Sequence, residues 1–153
     1  MKRFRYNLET VLNYKNQELD NLKIQHASAL ERVSKKKEEI HCMEGALSQI
    51  QSGLDRTVQN GAPIETLRLY DRCIDGARKQ IEQKKEQLLQ LKKDEKEKRE
   101  EVLTARVDTS RYEKLREHRL EDYRKAVKKE EEIFVEEFII RGMSIGGERG
   151  DDA

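Results

Sequence analysis

Steps of alternately four and three residues, begun at Leu8, visit Leu12, Lys15, Leu19, Leu22, His26, Ala29, Val33, Lys36, Ile40, Met43, Leu47, Ile50, Leu54 and Thr57, and eleven of these fifteen positions are apolar. A repeat averaging 3.5 residues keeps one face of a helix turned toward a partner, so the pattern predicts a long helix with a single apolar seam. From Leu67 the same steps visit Tyr70, Ile74, Ala77, Ile81, Lys84, Leu88 and Leu91, meet the charged Glu95 and Lys98, and recover at Val102, Ala105 and Tyr112. Between the two seams, Gln59-Asn60-Gly61-Ala62-Pro63 joins an Asn-Gly turn signal to the single proline, a residue suited to the first position of a new helix.

These signals predict an all-α fold: a long antiparallel two-helix coiled-coil hairpin with an overhanging C-terminal helix. The first helix is expected over about 3–58, the turn over 59–63 and the second helix over about 64–141, together one domain of residues 1–141. From Gly142 the sequence GMSIGGERGDDA has four glycines and no apolar period, which predicts a disordered tail over 142–153. A reversal at 60–63 pairs residues whose numbers add to about 123, setting Leu47 level with Ala77 and Leu12 level with Arg111. At about 1.5 Å per residue the first arm is roughly 80 Å long and the second roughly 115 Å, so residues from about 120 onward outrun their partner. The same register sets Cys42 and Cys73 about 12 Å out of step, which disfavours a disulfide and leaves two reduced, inert thiols. Gly45, Gly53 and Gly76 each cost a helix about 1 kcal/mol, a cost that close approach of the two arms would explain, as would close approach of a partner helix.

Composition narrows the class. Charged residues make up 41% of the chain and hydrophobic ones 35%, with no Trp. An ordinary domain carries about 25% charged and 45–50% apolar residues, so a thick core surrounding a catalytic cleft is excluded. Charge alone would suggest disorder, but 32 basic against 31 acidic residues leave a net charge of only +1, too little to expand the chain. The block KKDEKEKREE at 92–101 is ten charges in a row, five of each sign, and predicts a solvated stretch of helix. No apolar run is long enough to span a membrane or serve as a secretion signal, so the chain reads as cytoplasmic.

The chemistry-bearing residues are sparse. No two of His26, His41 and His118 share the helical spacing of a metal pair, and His26 falls on the seam, where a polar residue fixes register. No nucleotide, zinc-protease or nucleophile motif is present, so neither catalysis, cofactor, metal nor small-molecule substrate is expected. Residues 111–129 hold eight bases against four acids, with Lys2, Arg3 and Arg5 expected alongside. Interleaved acids and the lack of an aromatic platform argue against nucleic acid. EEEIFVEEFII follows at 130–140, an apolar and acidic surface that requires a cover. Insertion into another protein would supply it, as would self-association of a structural coiled-coil scaffold.

Three stretches carry a resemblance: Phe4-Arg5-Tyr6-Asn7-Leu8-Glu9-Thr10-Val11-Leu12, then Gln80-Ile81-Glu82-Gln83-Lys84, and above all Tyr112-Glu113-Lys114-Leu115-Arg116-Glu117-His118-Arg119-Leu120-Glu121-Asp122-Tyr123-Arg124. Over residues 1 to about 141 the chain resembles the bacterial flagellar export protein FliJ family. The resemblance implies a non-enzymatic coiled coil similar to the central stalk of rotary ATPases. It implies as partners the hexameric flagellar export ATPase, a membrane export gate protein and flagellar export chaperones, at the inner face of the cell membrane. That places the chain in flagellum biogenesis and chemotaxis, as a monomer when isolated. By the same pattern the ATPase-facing candidates are Arg3, Phe4, Arg111, Leu115, Arg119 and Tyr123. Leu47, Gln51, Ala77 and Gln80, near the turn, are the candidates for the export gate.

Overall fold

The computed structural model describes residues 3–146, which form two helices, α1 (Glu9–Asn60) and α2 (Ile64–Gly146). α1 stops because Gly61 takes a φ of +74°, a left-handed conformation that a residue without Cβ adopts at no steric cost. The Gly61 N–H reaches back to the Val58 carbonyl at 3.3 Å. The Pro63 carbonyl accepts from the amides of Thr66 and Leu67 at 3.0 and 3.4 Å, closing the first turn of α2. Pro63 therefore sits just ahead of the helix, where its missing N–H leaves no bond unmade. α2 runs on to Gly146, whereas the sequence places its end near 141. The remainder of the glycine-rich tail, 147–153, lies outside the described residues.

The chain divides into two compact units, one of Met1–Asn16 with Val107–Ala153 and one of Gln17–Arg106. In the second unit the two helices pack along the expected seam, with Leu19, Ala29, Val33, Ile40, Ile74, Ile81 and Val102 buried. Each buried Leu, Ile or Val in this row contributes about 1.5–3 kcal/mol, so a single row holds the helices together. The register is fixed by pairs whose numbers add to 123: Lys36 Nζ donates to Gln87 Oε1 at 3.2 Å, Lys84 Nζ lies 3.4 Å from Glu39 Oε2, and Tyr70 packs on Gly53.

Two expectations change here. A Cβ added at Gly53 would lie 3.4 Å from the Tyr70 hydroxyl, but one added at Gly45 or Gly76 would meet nothing within 4 Å. Close approach therefore explains Gly53 alone, where the Tyr70 ring needs the space. The charged block is also not uniformly solvated: Glu95 and Lys98 stay half-buried on the seam, because the helix carries their positions inward whatever residues occupy them.

In the first unit Leu12 and Thr109 are buried. Thr109 Oγ1 lies 3.5 Å from the Lys15 carbonyl, and Lys15 Nζ pairs with Asp108 at 2.7 Å, again in the 123 register. Residues 3–8 are not helical, so α1 begins six residues after the expected start at 3. From Lys128 to Ser144 every α2 side chain is exposed. Among the described residues, Cys42 and Cys73 are free and exposed, and no helix is long and apolar enough to cross a membrane.

Candidate functional site

The segment Arg3-Phe4-Arg5-Tyr6-Asn7-Leu8 alternates polar and apolar residues, and its exposure alternates with it: Phe4, Tyr6 and Leu8 are half-buried, while Arg3, Arg5 and Asn7 are exposed. A two-residue period belongs to extended chain, whose successive side chains point to opposite sides; here it fits residues 3–6, after which Asn7 and Leu8 form a turn closed by the Glu9 amide donating to the Tyr6 carbonyl at 3.1 Å. Extended chain also rises about 3.3 Å per residue against about 1.5 Å in a helix, so it reaches further along α2. A helix in the 123 register would set Phe4 level with residue 119, yet the Phe4 ring packs on Tyr123, with centroids 5.5 Å apart and planes tilted by 51°. Coverage of α2 consequently reaches past 120, where the overhang was expected to begin. The Tyr6 hydroxyl donates to the Tyr112 carbonyl at 3.1 Å, and Arg116 Nε donates to Glu9 Oε2 at 3.1 Å, fixing the segment where it joins α1.

Between this segment and α2 lies an open groove. Phe4, Tyr6, Leu8, Leu115 and Tyr123 supply its apolar lining, and Arg3, Arg5 and Arg119 its charge, with Asn7 completing it. The sequence-derived candidates Arg3, Phe4, Leu115, Arg119 and Tyr123 are thus brought together. Arg111 is exposed and does not line the groove. Lys2 lies outside the described residues. Arg5, Tyr6, Asn7 and Leu8 were not among the candidates; the alternation through residues 3–8 was the signal that could have placed them. Beyond the groove, Phe134, Phe138, Ile140 and Met143 are 67–75% exposed, with Ile133, Val135 and Ile139 around them.

The candidates near the turn show no comparable gathering. Leu47 and Ala77 are half-buried seam positions, Gln51 is half-buried and Gln80 exposed. The same unit contains a polar pair on the seam: His26 Nε2 lies 2.8 Å from Glu95 Oε1, with Arg99 Nε 3.9 Å from that oxygen. The hydrogen bond to His26 holds the Glu95 carboxyl below its ordinary value against the opposing pull of desolvation, and the Arg99 charge adds a smaller lowering. Glu39 is likewise lowered, first by Lys36 and then by Lys84. Among the described residues no group of three or more His, Cys, Asp and Glu could hold a metal ion.

Residues 4–144 match the family model described as flagellar FliJ protein. A search of curated proteins found no match. Among solved structures the chain is similar to that of a proposed YscO homolog, CT670, from Chlamydia trachomatis. The TM-score is 0.58 at 18% identity, covering 99% of this chain and 100% of that one. At that identity the likeness bears on the fold alone.

Proposed function

The chain belongs to the flagellar FliJ protein family, and on that premise we propose that it is a non-enzymatic stalk and escort component of the flagellar type III protein export apparatus. In this reading it binds the hexameric export ATPase through its first unit and links that enzyme to the membrane export gate and the export chaperones. It acts from the cytoplasm, attached peripherally at the flagellar base. The observation that carries the reading is the groove, in which five residues nominated from the family's pattern lie together beside an uncovered apolar helix end. A ring contact needs such a surface: exposed charged side chains and apolar surface together at one end of a rigid helix, where they can meet the wall of a bore. Leu47, Gln51, Ala77 and Gln80 are the proposed contacts for the gate.

The test is to titrate the purified chain into the hexameric export ATPase and to follow binding and ATP hydrolysis. Saturable binding with stimulated hydrolysis is expected, and truncation after Lys129 should reduce both. A full-length chain that neither binds nor stimulates would sink the reading. The exposed apolar side chains between 133 and 143 also favour a second reading, a self-assembling scaffold. Light scattering across a concentration series separates the two, since the stalk reading expects a mostly monomeric chain.

A further inference from the structure

We propose that the groove of the first unit is a receptor for an acidic helical segment with an apolar face, and that Arg3, Arg5 and Arg119 are the residues that select it. This deepens the stalk reading by naming the chemistry of the partner surface, and it depends on that reading only for who the partner is.

Bases and acids are interleaved through this part of α2, eight against four over 111–129, yet α2 gives the groove Arg119 and no acid, and the acid-free segment 3–8 adds Arg3 and Arg5. The groove thus collects three arginines and no carboxylate. Glu9, the acid at the start of α1, is already paired with Arg116 at 3.1 Å. Arg3, Arg5 and Arg119 have no ion pair among the described residues, so their donors are left to solvent or to a ligand. A guanidinium presents a planar fork that matches a carboxylate through two parallel hydrogen bonds, which a lysine cannot do.

The floor supplies the second half of the argument. Leu115 is 38% exposed, and beside it the tilted Phe4 and Tyr123 rings offer apolar surface between the charges. A free anion has no use for that floor. An amphipathic helix with Leu or Phe along one face and Glu at its edges satisfies both floor and rim, in the helix-in-groove mode of recognition. A polynucleotide would be drawn by the same guanidiniums, and the experiment includes it.

The probe is a fluorescein-labelled synthetic helix of about sixteen residues with a Leu/Phe face and Glu edges, titrated with the full chain and read by anisotropy. Its counterpart carries Lys in place of every Glu. The acidic helix should bind, and the Lys version should not. The triple variant Arg3→Glu, Arg5→Glu, Arg119→Glu should weaken binding by about tenfold or more, and salt should weaken the parent complex in the same direction. Arg141→Glu, outside the groove, should leave it unchanged. These arginines are exposed and without partners among the described residues, so the variant should keep its helicity, which circular dichroism checks.

Failure of the parent chain to bind the acidic helix, equal binding of the Lys version, or preference for a labelled oligodeoxynucleotide would each overturn the proposal. The export ATPase distinguishes this inference from the stalk reading. If the chain binds the acidic helix but not the ATPase, the stalk reading falls and the receptor stands. If the triple variant loses the acidic helix but keeps the ATPase, the receptor again stands and the groove is not the ring contact.

Discussion

His26 and Glu95 occupy seam positions that the heptad would otherwise give to apolar side chains, and their side chains are only 22% and 15% exposed. A polar pair so placed specifies register, because sliding either helix would leave a half-buried carboxylate facing an apolar neighbour. Glu95 binds its proton less readily in the folded chain than in the unfolded one. Its contribution to stability is therefore complete above the ordinary value of 4.5 and is lost as the pH falls through the lowered folded value. Denaturant midpoints measured from about pH 7 down to about pH 3 should fall less steeply for Glu95→Gln than for the parent chain. Identical slopes would show that the pair carries no proton linkage. The glycines give a second expectation at this scale. Gly45→Ala and Gly76→Ala, entering open space, should each stabilise the chain by about 1 kcal/mol, with Gly53→Ala gaining less against the Tyr70 hydroxyl. Thermal or chemical unfolding of the three variants measures the ranking.

Each helix presents one face to the other, and substitutions should divide along it. Ile81, 6% exposed, and Leu89, 59% exposed, lie on the same helix. Ile81→Ala should cost about 2–4 kcal/mol and Leu89→Ala less than about 0.5, as denaturant unfolding would show. Comparable losses would mean that the two faces are not distinct. The seam was fully legible in the sequence: every position visited from Leu8 to Thr57 and from Leu67 to Tyr112 is buried or half-buried. Gly61 and Pro63 also turn the chain where their backbone preferences require. Less legible were the places where geometry outranks composition. Glu95 and Lys98 read as solvated because their neighbours are charged, yet the helical period holds them on the seam. Gly45 and Gly76 read as contacts because glycine in a helix invites a reason, and nothing approaches them. The groove was half legible: its α2 residues and Arg3 and Phe4 were nominated and Arg5 was expected alongside, while Tyr6, Asn7 and Leu8 were missed because a helix was extended over residues 3–8, which are not helical.

The two units use the same helices differently: one closes its apolar row, and the other leaves a groove and a run of uncovered helix. Where α2 has no neighbour, its backbone hydrogen bonds lie open to water and opening costs little. Hydrogen exchange should accordingly be fast over 131–144 and slow around Ile40, Ile74 and Ile81; uniform protection would mean that the exposed run is covered in solution. The Phe4–Tyr123 contact has a practical consequence for anyone handling the protein. Phe4 is the fourth residue of the sequence and forms part of the groove wall. A purification handle or fluorescent protein fused ahead of Met1 would bring its bulk within a few residues of that wall. A capture assay built that way would underreport any ligand of the groove, and a weak result would reflect the label. An epitope inserted at Ala62, in the connection between the helices, avoids the groove-lining residues altogether.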